Sequence, residues 1–452
     1  MFAKILLTIW IILLLSKPLM AGDGNGNFGI RGLSGPEISR EAPALAKKAG
    51  ISWTRIAVYW NQVEPQKGTY QWKKLDQDIR QILASGINVM VTIRSYSRWA
   101  YKGKKSGGVF NKKRSGKHKT SAFPDPENMT QYKNFVKDLV ERYDGDDDFG
   151  KDPPDKELKN LVTKNPIKYW QIENEPGSCD VNQGSSFWNG TAKELTELFM
   201  IASDSIKQAD PQAKIVLSGF TAKTFINCNG VYPDFILKIL KEKGYNFDVF
   251  DIHNYRNVDT ITKQVSGVKN LLRKYGFTKT RIWMTESDAN MKYFRLSMTE
   301  EQYDRYRSKE IIKKHVTAFC EGVEKVFQWT FSDSSKWPPR KRSEIVKFRG
   351  IVRSDLNLKS IYSTYMFMVS KLDGFTSCSN LSKDSMKVYK FMVEPQSVYI
   401  AWDDKGGKEL SLDIGEAKIT DIHKKELVKD SSKILLTSDP IFIEKLDRKN
   451  TL

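Results

Sequence analysis

Residues 167–176 read IKYWQIENEP. The run up to Ile172 is short and apolar on both faces, which fits a strand covered on each side rather than the half-solvated strand of an open antiparallel sheet. Glu173 and Glu175 close it, around Asn174 and ahead of Pro176. A carboxylate at the end of a buried strand is costly unless it is paired or put to use.

Outward from this segment the same grammar repeats. Strands are predicted over 27–32, 52–58, 87–93, 167–173, 213–219, 247–253, 281–286 and 323–330. Between them the apolar period becomes helical. WKKLDQDIRQILASG puts Leu75, Ile79, Ile82 and Leu83 on one face and stops at Gly86. QYKNFVKDLVERY, AKELTELFMIASDSIKQADP and ITKQVSGVKNLLRKYG follow the same pattern. Eight alternating units predict an α/β fold of the (β/α)8 TIM-barrel type. After Gly374 the pattern shifts to short strands broken by Asp-Asp, Gly-Gly and Pro, which predicts a small C-terminal antiparallel β-sandwich module. The expected division is a signal peptide over 1–21, a barrel over 22–375 and the module over 376–452.

The leader MFAKILLTIWIILLLSKPLMA has a lysine, an apolar core and small residues before Ala21, the pattern of an exported chain. Its apolar stretch is short for a spanning helix, so no stable membrane insertion is expected after cleavage. The location expected is secreted or periplasmic. Cleavage removes Lys4 and Lys17 and no acid, leaving +17 of the formal +19 charge. That excess suits an acidic partner. Zinc-finger spacing and aromatic–basic RNA motifs are absent, so nucleic acid is not expected. A monomer without metal or cofactor is expected. Cys179 and Cys228 follow strands four and five, on one face of a barrel; Cys320 and Cys378 belong to the other face. Two disulfides are feasible, and free thiols are the alternative. The acidic turn DGDDDFGKDPPDK at 144–156 does not keep a calcium-loop spacing and reads as solvated.

In a barrel of this type the site lies at the C-terminal strand ends. Strand four ends in Glu173-Asn174-Glu175 and strand seven in Glu286-Ser287-Asp288; strand two carries Arg55; strand six ends in Asp251, His253, Asn254 and Tyr255; strand eight ends in Trp329. Two facing carboxylates, one protonated and one ionised, are what glycosidic cleavage requires. An arginine beside the second favours its charged form. Trp60, Trp99 and Trp329 offer flat apolar faces for sugar rings, or else serve as core. Alternation places Glu173 and Glu175 on one face and Asn174 on the other, and so does not choose between the two acids. For Asn174 and Glu175 both to reach a sugar, the strand must bulge or end there. Pro176 is expected to hold Glu175 extended.

YWQIENEP at 169–176 and RIWMTES at 281–287 together resemble glycoside hydrolase clan A. The stretch TRIAVYWNQVEPQKGTYQWKKLDQDIRQILASGINVMVTI is similar to that clan's second-to-third strand region, in the family 39 and family 5 types. So is FPDPENMTQYKNFVKDLVERYDGD. The likeness spans about residues 28–375, and a C-terminal β module is a usual companion. It implies a secreted, retaining glycoside hydrolase acting on O-glycosidic bonds of a polysaccharide or oligosaccharide. Glu175 matches the acid/base, Glu286 the nucleophile, Asn174 the residue binding the sugar's 2-hydroxyl, and Arg55 the arginine supporting the nucleophile. His253 and Tyr255 line the site, and Trp329 and Trp99 are expected to bind sugar. Glu173 is then a supporting acid or a structural ion pair. A non-catalytic glycan-binding barrel and a transglycosylase are the alternatives. Arg94 and Arg98 stand at strand three's end, where the clan commonly has neutral or histidine-bearing loops. No acid occurs between Tyr101 and Pro124, and that stretch is rich in lysine. An anionic glycan is therefore expected.

Overall fold

The computed structural model describes residues 26–34, 39–101, 121–146, 148–149 and 152–446. The leader and the basic segment from Lys102 to Lys119 lie outside the described residues. No helix among the described residues is long and apolar enough to cross a membrane.

Eight parallel strands close into a barrel in sequence order: β1 (Phe28–Arg31), β2 (Trp53–Tyr59), β3 (Asn88–Arg94), β4 (Tyr169–Ile172), β5 (Lys214–Thr221), β6 (Val249–Asn254), β7 (Arg281–Ser287) and β8 (Lys325–Gln328). All four residues of β4 are buried, as a strand lined by side chains inside and covered by helices outside must be. Helices Lys73–Ala84, Met129–Glu141, Ala192–Ala209 and Asp259–Tyr275 form where the 3.6-residue period predicts them. The first buries Ile79, Ile82 and Leu83. Thr191 and Glu194 cap the third reciprocally.

The interior is layered, because every second residue of a strand points inward. Trp53, Met90, Tyr169, Val216, Val249, Trp283 and Phe327 form an apolar floor. Two residues further along their strands come Arg55, Thr92, Gln171 and Asp251, all buried and polar. The mouth follows above them. In β7 the register shifts: Ile252 of β6 faces Met284, whereas His253 faces Glu286. Thr285 is thus an extra residue, and this bulge lets Thr285 and Glu286 serve the interior in succession.

The C-terminal part is a six-stranded antiparallel sheet, ordered β14 (Glu426–Asp430), β13 (Glu416–Thr420), β16 (Ile441–Lys445), β11 (Gln396–Asp403), β10 (Met386–Val393) and β9 (Ser377–Asn380), with a ribbon of β12 (Glu409–Leu410) and β15 (Ile434–Leu435). Alternation divides its faces. Tyr389, Phe391, Ile400, Trp402 and Phe442 join the barrel's core cluster. Val388, Tyr399, Ala401, Ala417, Ile419 and Ile443 pack with Leu410 and Ile434 of the ribbon. Strands β9 and β14 escaped the sequence reading because they are short, polar and at the sheet's edges.

Both feasible disulfides are present. Cys179–Cys228, with Cα atoms 4.7 Å apart, joins the loops after β4 and β5. Cys320–Cys378, at 5.1 Å, ties the end of the helix before β8 to β9.

Candidate active site

The strand-four segment does not run straight into its loop. Glu173 and Glu175 both have positive φ, 63° and 45°, a left-handed conformation that non-glycine residues rarely adopt. The expectation of an extended Glu175 ahead of Pro176 is therefore corrected. Tertiary hydrogen bonds over-determine the backbone: Glu173 N donates to Ile93 O (3.0 Å) and Glu175 N to Gly219 O (3.0 Å). Ser185 Oγ donates to Glu175 O (2.5 Å). The two left-handed residues break strict alternation, which brings Asn174 and Glu175 into one site while Glu173 turns away.

Glu173 is fully buried and ion-paired. Arg94 Nε donates to its Oε2 at 2.8 Å and Ser95 N to its Oε1 at 2.7 Å. Arg94 also donates to Phe187 O and lies over the rings of Tyr59 and Phe187. The expectation that Arg94 faces an anionic substrate does not hold, since its charge is committed to Glu173. Arg98 is exposed and meets Tyr96 Oη at 3.3 Å.

Arg55 is the pivot of the site. It is only 1% exposed, and its donors have partners on four other strands or strand ends. Nε donates to Thr92 Oγ1 (2.8 Å) and Gln171 Oε1 (2.9 Å). One terminal nitrogen donates to Glu286 Oε1 at 2.7 Å, and the other to Asn174 Oδ1. A guanidinium only donates, so the Asn174 oxygen must face it, which leaves the Asn174 amide nitrogen to donate elsewhere. Tyr255 Oη donates to the second oxygen of Glu286 at 2.6 Å. His253 Nδ1 lies 2.6 Å from Glu175 Oε1 and 3.5 Å from Glu286 Oε2. Its Nε2 lies 3.2 Å from Asp251 Oδ2. Gly219 is required beside this ring: a Cβ there would stand 2.3 Å from His253 Nε2.

The charges set the protonation. Burial alone would push the Glu286 carboxyl up, but His253, Arg55 and Arg31 together hold it well below the usual carboxylate range. Burial opposes a charge on His253, yet Glu286 and Asp251 outweigh it and raise the imidazole to about 9. Burial and Glu286 push the Tyr255 phenol far above its ordinary value, so it remains a donor.

Glu175, Glu286, Arg55, Asn174, His253 and Tyr255 thus converge. Trp329 joins them at the rim, its ring edge-on to Tyr255 at 6.4 Å. Trp99 is not brought to the carboxylates by any contact among the described residues. Its indole donates to Glu64 O and its ring packs on Trp60 at 4.8 Å, and Trp60 is itself core. The sequence reading passed over Arg31, whose Nε is 3.6 Å from Glu286 Oε1 and whose guanidinium lies over Trp329. Its position was readable: Arg31 ends β1 and is the register partner of Arg55. Lys314, buried in a helix with no clear apolar stripe, gave no such signal. It donates to Asn254 O (3.0 Å) and Asp288 O (2.7 Å), fastening the ends of β6 and β7.

One donor atom from each of Glu175, His253 and Glu286 falls within 4.8 Å of the others, a spacing a metal ion could use. The Arg55 guanidinium on Glu286 and the raised charge on His253 oppose a further cation there, so the set fits proton chemistry better.

The family model Glyco_hydro_42, described as beta-galactosidase, matches residues 35–193, a stretch that contains Arg55, Asn174 and Glu175. No curated protein matches the chain. A family 39 glycoside hydrolase from the gut symbiont Bacteroides cellulosilyticus WH2 superposes with a TM-score of 0.68 at 17% identity, over 93% of this chain and 81% of that one. A GH39 beta-xylosidase from Caulobacter crescentus gives 0.62 at 13% identity, over 95% and 98%. A GH30 endoxylanase from Clostridium papyrosolvens C71 gives 0.53 at 12%, over 94% and 98%. With the fold shared along nearly its whole length and a family model matching its first half-barrel, the chain resembles the TIM-barrel glycoside hydrolases of clan A, as its two glutamate motifs indicated.

Proposed function

We propose that the protein is an exported retaining glycoside hydrolase, with Glu286 as nucleophile and Glu175 as acid/base. The observation that carries this reading is the pairing of those two side chains at the barrel mouth. One oxygen of each lies within 4.8 Å of the other's, an approach that suits the ~5–5.5 Å carboxyl separation of retaining enzymes better than the ~6.5–9.5 Å that inversion needs for its water. In the first step a Glu286 oxygen attacks the anomeric carbon. The glycosidic C–O bond breaks, and the leaving oxygen takes a proton from Glu175. In the second step Glu175 takes a proton from water, the water oxygen bonds the anomeric carbon, and the Glu286 ester bond breaks. Arg55 and Tyr255 hold one oxygen of Glu286 each, so the carboxylate is aimed before substrate arrives. Asn174, its oxygen fixed by Arg55, presents its amide nitrogen to a sugar hydroxyl. Trapping with activated 2-deoxy-2-fluoro glycosides tests this: mass spectrometry should place the sugar on Glu286. A label on any other residue overturns the assignment.

The substrate sugar is proposed to be anionic, now on different residues. Arg31 stands beside the nucleophile and over the Trp329 ring, and Arg349 lies over the ring of Tyr255, which holds the nucleophile's other oxygen. Their Nε atoms are buried and turned to protein carboxylates, 3.6 Å from Glu286 Oε1 and 3.4 Å from Asp288 Oδ2, so any donors offered to a substrate are the terminal nitrogens. These guanidiniums would bind a carboxylate or sulfate through charge-assisted hydrogen bonds. kcat/KM for an aryl glycuronide should exceed that for the matching neutral glycoside, and Arg349→Gln should erase the preference. Equal rates on both would refute it. Export is supported by the leader pattern and by the two disulfides.

A further inference from the structure

On the opposite face of the barrel, ahead of β4, the acidic turn is not the solvated loop its sequence suggests. Asp144 is 2% exposed and Glu141 7%. One carboxylate oxygen from each of Glu141, Asp144 and Asp146 lies within 4.8 Å of the others. Asp144 Oδ1 accepts from Asp146 N at 3.2 Å. Its Oδ2 is buried and has no hydrogen-bond partner among the described residues. Nearby cations do not answer this demand. Lys137 Nζ stops 3.8 Å from Glu141 Oε1 and is half exposed. Lys168 Nζ instead takes the Asp144 carbonyl oxygen and Asp210 Oδ2, each at 2.8 Å. A buried carboxylate oxygen with nothing to bind loses its hydration without compensation.

We propose that Glu141, Asp144 and Asp146 form a binding site for a hard divalent cation, calcium, independent of the catalytic mouth. The donors are all oxygen, and neither His nor Cys is among them, which favours calcium or magnesium over zinc or copper. Three carboxylates on a turn, rather than a rigid octahedral cage, suit the larger ion, with water or backbone oxygens completing its shell. The ion would join the end of helix Met129–Glu141 to the turn that follows it. Tyr143 O, next to Asp144, accepts from Ile167 N at 2.9 Å, two residues before β4 begins. The cation would therefore brace the approach to the strand that carries Glu173 to Glu175.

The test uses the full chain, stripped with EDTA and held at pH 8. Titration of CaCl2 should show one site per chain with Kd about 10⁻⁴ M, typical of extracellular modules. Thermal unfolding in ~10 mM CaCl2 should shift upward by about 3–5 °C, and equal MgCl2 should give much less. Glu141→Gln and Asp144→Asn should each weaken calcium binding at least tenfold and remove the shift, with the circular dichroism spectrum unchanged. Should Asp144→Asn not fold, the exposed Asp146→Asn takes its place. No heat and no shift in the wild type, or an undiminished shift in the variants, overturns the site. An equal response to magnesium overturns the choice of calcium.

Discussion

His253→Gln tests the proton arrangement of the mouth. In the wild type, His253 Nδ1 and Glu175 Oε1 are 2.6 Å apart. The imidazole rises from its ordinary 6.5 to about 9, burial being outweighed by Glu286 and Asp251. This corresponds to about 3 kcal/mol of preference for the charged ring in the folded state. The sign follows from linkage. A folded value above the unfolded one gives stability that is complete below pH ~6.5 and lost as pH rises through ~9. Urea unfolding of wild type between pH 6 and pH 10 should therefore lose about 3 kcal/mol more than the variant loses over the same range. Lys314, held down to about 7 by burial, titrates in both proteins and cancels in the difference. Activity should respond alike: the basic limb of kcat/KM near pH 9 should move in the variant, because the ring that titrates there is gone. Parallel stability curves, within about 1 kcal/mol, together with an unmoved basic limb would refute the charged ring.

Removing the acids separates their roles. Glu286→Ala should abolish turnover, whereas Glu175→Ala should keep cleavage of a dinitrophenyl glycoside while losing about 10²–10⁴-fold on poor leaving groups, read from kcat/KM across a leaving-group series. Gly219→Ala should cost about 1–3 kcal/mol and lower kcat, because the new Cβ would stand 2.3 Å from His253 Nε2 and 2.8 Å from Asp251 Oδ2; urea unfolding and steady-state rates check both. Joint replacement of Cys179 and Cys228 by serine opens a cross-link with a sequence separation of 49, for which chain entropy sets an upper limit of about 4 kcal/mol, visible as a lower Tm.

The barrel was legible because its strands are apolar on both faces and its helices on one, so the change of period marks each unit. What alternation could not decide was the choice between Glu173 and Glu175, which it places on the same face. The two acids are parted by two left-handed residues, and those depend on hydrogen bonds to Ile93 O and Gly219 O and from Ser185 Oγ that no local pattern announces. Proline's preference for an extended predecessor lost to the same bonds. The misreading of Arg94 was avoidable in principle. In parallel register Ile93 faces Ile172, so the next pair is Arg94 with Glu173, a cation and an anion that leave buried strands side by side. Lys314 was out of reach, since its helix, Glu300–Cys320, shows no clear apolar stripe and buries several of its charges.

The three interior layers explain why so many charges can be held at the mouth. A carboxylate taken from water into the barrel is penalised by several kcal/mol unless its partners are already in place. Here the partners are fixed from below. Asp251 is held by Thr285 N (3.0 Å), Thr285 Oγ1 (2.6 Å) and Gln171 Nε2 (2.5 Å). Gln171 and Thr92 in turn accept from Arg55, and Arg55 reaches up to Glu286 and Asn174. None of these middle-layer groups can follow a substrate, because the aromatic floor of Trp53, Tyr169, Trp283 and Phe327 leaves them no room to sink. Glu175, Tyr255, Trp329 and the arginines at the rim retain partial exposure. The polar middle layer therefore acts as a fixed solvent shell, set at folding, and it lets the Glu286 carboxylate stay ionised although it is buried.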